Sequence, residues 1–418
     1  MRSPIGLAVT LTTFAAIIAV PPAARADCAS WPAVIEADTV NLAYPDTSAT
    51  YWLTRFAAVP GARLRIDGLY PAARYFSFHA YDEAQRPVGA LADFELTADE
   101  GSENPFITPG AEPGGSYTAF VDLTAAPPGP APNTLYAGAM SDGTPNPTGS
   151  IIYRVYVPDD PADPAGGVGL PRVRLEVGDA AVDLPFEDCD PMPPSSGSPL
   201  TNAIRGSSFP DEVPRALPWP PAESPPRFVK FYSLSANVLD RLPPNPATDP
   251  VPRDTSGGFL SNQHINYLFA LTARTHGDVF VMRAKMPTAP DTRGGEHPTA
   301  PAQTRYWSVC QNSFTTQRFV ACLADVEIEA DAEGWFTVVV SDPTDKPANA
   351  VNWLPWGGPH YDGNVIYRHM LPAPDFEGAI QNIDYGDDPA TVMGDYFPRA
   401  GYCDRATFEA DPGACFAG

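Results

Sequence analysis

The feature that most constrains this chain is an internal repeat: a set of short blocks occurs twice, diverged but in the same order. Arg74-Tyr75-Phe76-Ser77 returns as Arg305-Tyr306-Trp307-Ser308, and Ala90-Leu91-Ala92-Asp93 returns as Cys322-Leu323-Ala324-Asp325. Asn133-Thr134-Leu135 is matched by Asn352-Trp353-Leu354. Ile151-Ile152-Tyr153-Arg154 is matched by Val365-Ile366-Tyr367-Arg368, and Pro158 and Pro372 follow at the same distance. The offset shrinks from 231 residues at the first block to 214 at the last, as it must when the loops of the copies differ in length. Four matches in one order are the mark of a duplication, so the chain is expected to fold as two similar domains.

What each copy folds into follows from its punctuation. The chain has 51 prolines and 33 glycines, and amphipathic helical periodicity is scarce. Residues 63–69 alternate with a period of two, and 75–81 are aromatic and β-favouring, as are 117–123 and 151–157. The second copy gives matching stretches at 278–286, 305–309, 319–328, 335–340 and 365–370. Short strands separated by Pro/Gly turns predict an all-β chain of two tandem antiparallel β-sandwich, jelly-roll-like domains. The boundaries read as 1–26 signal peptide, 27–187 first copy, 188–226 connector and 227–372 second copy. A C-terminal tail, 373–418, follows. The connector is rich in proline and serine, a composition that extends without a core of its own.

Compartment and charge come next. Arg2, the apolar stretch 5–20 and Ala24-Arg25-Ala26 have the form of a cleavable signal, with the cut expected after Ala26. That apolar run is too short to span a bilayer, and no other segment approaches the needed length. The protein is therefore expected to be secreted or periplasmic and soluble, without membrane insertion. Its formal net charge of −24 repels phosphate backbones, which argues against a nucleic-acid partner. After export six cysteines remain. Spacing favours Cys310 with Cys322 and Cys403 with Cys415, leaving Cys28 with Cys189. Each twelve-residue closure is worth about 3 kcal/mol by chain entropy.

The second copy ends recognisably. Residues 334–343 lead through a polar loop to Asn352-Trp353-Leu354-Pro355 and the strand Val365-Ile366-Tyr367-Arg368. With Tyr306-Trp307-Ser308 upstream, this resembles a bacterial exported β-sandwich domain family of unknown function, in which a Y-W-S strand precedes an N-W-L-P turn. The first copy resembles it more faintly, since Asn133-Thr134-Leu135-Tyr136 lacks the tryptophan and proline. The resemblance implies a jelly-roll-like fold and no particular activity.

Residues shared by both copies should mostly serve the fold. Arg154/Arg368 and Asp93/Asp325 are read as strand arginines paired to neighbouring carboxylates. Copy-specific residues are the better functional candidates. His360, Asp362 and His369 could supply a base with its orienting carboxylate, or a metal site. Trp353, Trp356 and Tyr361, with Arg368, could line a ligand or glycan site in the 352–362 loop. Nucleophile elbows, phosphate-binding loops and nucleotide fingerprints are absent, so no cofactor is predicted. A divalent metal remains open: zinc through the histidines, or calcium at Asp159-Asp160-Pro161-Ala162-Asp163 or Asp384-Tyr385-Gly386-Asp387-Asp388. Two functions are thus expected. The first is an extracytoplasmic ligand- or glycan-binding or surface protein. The other is a secreted hydrolase or lyase with a His/Asp site on the second copy.

Overall fold

The computed structural model describes residues 30–35, 43–140, 142–178, 180–183, 222–233, 236, 260–314, 318–357 and 362–416. The expected signal peptide, most of the connector, the Cys28–Cys189 pairing, His360 and Tyr361 lie outside them.

In chain order the first copy contributes β1 (Ala33–Ile35), β2 (Ala49–Ala57), β3 (Ala62–Leu69), β4 (Ala73–Tyr81) and β5 (Pro87–Ala92). It continues with β6 (Ser116–Asp122), β7 (Thr134–Tyr136), β8 (Thr148–Pro158), β9 (Arg172–Val177) and β10 (Ala180–Asp183). The second copy has β11 (Val229–Lys230), β12 (Ile265–Ala273), β13 (Val279–Lys285), β14 (Thr304–Ser313), β15 (Arg318–Ala324), β16 (Trp335–Ser341), β17 (Asn352–Pro355) and β18 (Asp362–Pro372). After it come helix α1 (Pro389–Met393), β19 (Arg399–Cys403) and helix α2 (Arg405–Ala410).

Each copy is an all-β sandwich of two open sheets, as the repeat and its strand pattern predict. One sheet runs β1-β2-β8-β4-β5 in the first copy and β11-β12-β18-β14-β15 in the second. The other runs β10-β9-β3-β6-β7 and β17-β16-β13-β19. The shared order β2-β8-β4-β5 against β12-β18-β14-β15 is the duplication written in topology. Pairing is antiparallel except at one edge of each second sheet, where β7 lies parallel to β6 and β17 to β16.

The shared motifs have shared local causes. Asn133 Nδ2 donates to the carbonyls of Thr97 and Thr118, and its Oδ1 accepts from Thr97 N–H. Asn352 does the same with Glu329 and Thr337. One amide thus satisfies backbone groups that a parallel edge strand would leave open. Asp93 accepts from Phe76 N–H and Asp325 from Trp307 N–H, while Glu95 and Glu327 close the short turns that follow on Ala92 N–H and Ala324 N–H.

Alternation holds where one face of a strand is solvated and fails where both faces are covered. β6 alternates between half-buried and buried positions along its length. All nine residues of β4 are buried. One face of β4 packs on the core of its own sandwich, around Phe76, Phe78, Tyr117 and Tyr153. The opposite face lies against the second copy. A separate apolar cluster joins the two, with Tyr75, Tyr81, Ile152 and Tyr156 from the first copy and Ile265, Tyr306, Ala324 and Met370 from the second.

The expected C-terminal tail contains sheet and core residues. β19 pairs antiparallel with β13, in the place that β9 takes beside β3 in the first copy. Cys403–Cys415 then staples the segment that carries α2, whose Phe408 is buried with Val279, Val281 and Val339. Cys310–Cys322 links directly opposite residues of β14 and β15. Both of these disulfides are the pairs that spacing predicts. They are the bonds of a chain that matures in an oxidising, extracytoplasmic environment. Among the described residues, no helix is long and apolar enough to cross a membrane.

Candidate functional site

Among the described residues, buried polar side chains gather at the seam between the copies, and their arrangement is reciprocal. Arg74 of the first copy meets Asp325 of the second at 2.5 Å, with both side chains buried. Their counterparts in the repeat, Arg305 and Asp93, meet across the same seam at 3.5 Å. Arg154 donates to the carbonyl of Leu260, in the segment leading into β12. Its counterpart Arg368 donates to the carbonyl of Tyr44, in the segment leading into β2. Each copy therefore lends the strap before its second strand to the arginine of the other. The partners thus come from the opposite copy and not from a neighbouring strand of the same one: a carbonyl for Arg154, Asp46 for Arg368, and Arg305 and Arg74 for Asp93 and Asp325. Pairing within one sandwich and pairing between two leave the same mark in a sequence, because the repeat carries both partners.

The straps are built alike and differ in one group. Asp46 accepts from Ser48 N–H and Asn262 from His264 N–H. Asp46 Oδ2 accepts from Ser308 Oγ at 2.7 Å and lies 3.5 Å from Arg368 Nη1. Where the first strap carries the acid Asp46, the second carries the amide Asn262, and the histidines gather on the amide's side. His264 Nδ1 is 2.8 Å from Tyr75 Oη, and its ring is 5.3 Å from that of His79. Gln263 N–H donates to His79 Nε2. The remaining Nδ1 of the neutral ring then carries the proton and faces Ser77 Oγ at 3.1 Å.

Burial sets the protonation of these groups. It pulls His264 down to about 4, helped by the positive charge of Arg154. His79 is held well below its ordinary value by burial, then by Arg154 and His264. Burial pushes Asp93 up to about 6 against the opposing pull of Arg305, and it raises Asp325 against Arg74. At neutral pH the seam thus holds uncharged imidazoles beside arginines whose partners come from the opposite copy. Its chemistry is recognition between the copies.

The residues singled out in the sequence are dispersed. His369 is fully buried on β18, its ring against Tyr367 and Phe376, with Nδ1 accepting from Ile380 N–H. Burial alone pulls it down to about 3. Asp362 opens the same strand, seven positions earlier. Trp356 sits in the core of the second sandwich, its ring 5.7 Å from the Arg274 guanidinium. Trp353 faces the opposite way, donating to Ser341 Oγ, stacking under Lys346 and packing on the stapled C-terminal segment. Trp353 lies on β17 and Trp356 just past its end, and they pack into different clusters, so they do not form one platform. Arg368 is buried in the seam.

Among the described residues, one group of three possible metal donors comes within 4.8 Å: Asp46, Cys310 and Cys322. Its two sulfurs are joined to each other. The acidic loops are occupied locally. Asp163 accepts from Ala165 N–H and Gly167 N–H, Asp387 from Asp384 N–H, and Asp388 caps α1. The seam itself went unread in the sequence, although the arginines and aspartates shared by both copies were the signal for it.

No protein-family profile matches the chain, and no curated protein does. Among solved structures it is similar to an uncharacterised protein from Burkholderia cenocepacia, at 16% identity and a TM-score of 0.46, covering 82% of this chain and 79% of that one. It is also similar to the VPA0106 protein from Vibrio parahaemolyticus, at 14% identity and a TM-score of 0.40, covering 86% and 90%. The B domain of a biofilm-associated protein matches at 10% identity and a TM-score of 0.18, over 82% and 73%. No activity follows from these similarities.

Proposed function

We propose that this is an exported binding or surface protein in which two sandwich copies, locked face to face, act as one rigid body. The observation that carries this reading is the reciprocal seam. The buried arginines and aspartates that the copies share are spent on partners in the opposite copy. The enclosure of the His369 ring weighs on the same side, because a hydrolytic site on the second copy would need that ring at a surface. On this reading the ligand is a glycan or small molecule met at the exposed loops of the sandwiches.

The test is made on the mature chain, purified from the extracytoplasmic fraction. Native mass spectrometry is expected to show no bound divalent metal, and the protein is expected to be retained on cell-envelope polysaccharide. A stoichiometric metal that disappears in a His360→Ala variant would overturn the reading in favour of a metallohydrolase. Failure of retention on every envelope fraction would remove its binding half.

A further inference from the structure

The Cys310–Cys322 disulfide has no counterpart in the first copy. In the first copy the same two positions of the same strand pair are His79 and Ala90, which face each other across β4 and β5 as the cysteines do across β14 and β15. The ladder alone closes that hairpin in the first copy. One sulfur is buried and the other half-buried in both disulfides, and what distinguishes this bond is the cation beside its buried sulfur. Cys310 is fully buried, whereas Cys322 is half-buried on an edge strand. Arg368 Nη1 donates to Cys310 Sγ at 2.6 Å. A guanidinium keeps its charge throughout the accessible pH range, and a thiolate beside a cation is a better leaving group. Asp46 opposes this effect. However, its carboxylate is hydrogen-bonded by Ser308 and Ser48 and lies farther from that guanidinium, at 3.5 Å, than the sulfur does.

We propose that Cys310–Cys322 is a reversible thiol-exchange site, attacked at Cys322 by a dithiol reductant. The attacking thiolate bonds to Cys322 Sγ, the Cys310–Cys322 bond breaks, and Cys310 leaves as a thiolate paired with Arg368. The second thiol of the reductant loses its proton to solvent and attacks its own sulfur in the mixed disulfide. Cys322 is expelled and takes up a proton. The protein disulfide gains two electrons and the dithiol becomes a disulfide. The seam senses the change, because Arg368 also holds the carbonyl of Tyr44 in the strap, and Pro45 lies against Cys322 Sγ.

The experiment titrates the full mature protein with dithiothreitol, blocks free thiols by alkylation and reads each cysteine by mass spectrometry. Cys310 and Cys322 are expected to open at about ten-fold less dithiothreitol than Cys403 and Cys415, which serve as the internal reference. Simultaneous opening, or opening of the reference pair first, would overturn the proposal. Direction is read with oxidised glutathione. In Cys310→Ser the remaining Cys322 should form the mixed disulfide rapidly. In Cys322→Ser the remaining Cys310 should stay free, and the reverse order overturns the assignment of the attacked sulfur. Arg368→Gln should raise the dithiothreitol needed about ten-fold, with Arg368→Lys partly restoring it. If Arg368→Gln does not fold, the comparison of the two single-cysteine variants decides alone.

Discussion

At the scale of single residues, the buried histidines give the protein a sensitivity to acid. An unfolded histidine titrates near 6.5. In the fold, burial pulls His264 to about 4 and His369 to about 3, so the native state holds both rings neutral. A depressed histidine contributes stability that is complete above about 6.5 and is lost as pH falls toward the folded value. For His264 that loss is on the order of 3 kcal/mol, at 1.36 kcal/mol per unit. Asp93 works in the opposite sense. Its carboxyl is raised to about 6, so its contribution is present at low pH and is lost as pH rises from about 4 to 6. The histidine effect is larger, and His79 shares its sign. Urea midpoints should therefore fall between pH 7 and pH 4.5, and His264→Gln should flatten the fall. A wild-type midpoint that does not move over that interval would show that these rings are not held neutral.

At the scale of elements, the sequence was readable where a strand has one solvated face or a motif occurs twice. β6 alternates cleanly, and the Asn133/Asn352 pair announces the parallel edge strands. β19 was not readable. It is five residues, Arg399-Ala400-Gly401-Tyr402-Cys403, with a glycine at its centre and no neighbouring repeat block. That glycine is explained only by the tertiary structure, since a Cβ there would collide with the carbonyl of Cys415. The placement of the candidate tryptophans was hidden for a related reason. Loop-like composition around residues 353–356 concealed a short strand, 352–355, that carries Trp353 on the side of the stapled segment, while Trp356 just past its end enters the core. The stapled segment yields its own prediction. Replacing Cys403 and Cys415 by serine removes a crosslink across twelve residues and should cost about 3 kcal/mol. Phe408→Ala, which empties the contact with Val279, Val281 and Val339, should cost about 3 to 5 kcal/mol. Thermal unfolding of the two variants checks both, and a change within 0.5 kcal/mol in either would mean that the segment is not docked.

At the scale of the whole molecule, the duplication was legible and the way its halves face each other was not. A repeated arginine and a repeated aspartate state that a pair exists, but a pair within one copy and a reciprocal pair between copies are identical in sequence. The reciprocal arrangement has a thermodynamic consequence. Two sandwiches joined by a loop alone would unfold independently. Two sandwiches that share a buried apolar cluster cannot separate without exposing it to water, and removing one partner of a buried ion pair while the seam stays closed costs about 3 to 5 kcal/mol. Calorimetry at neutral pH should therefore show one transition, with the van't Hoff and calorimetric enthalpies in agreement. Arg74→Ala should split it into two, because Asp325 then lies buried without its cation. Arg305→Ala should do less, since that side chain is partly exposed and lies 3.5 Å from Asp93. The decisive variant reverses the stronger pair. Arg74→Asp alone should uncouple the halves, and Arg74→Asp with Asp325→Arg should restore a single transition. Restoration by the second change shows that the coupling passes through this contact. If the double variant remains split, or if wild type already shows two transitions, the halves are neighbours along one chain and not one body.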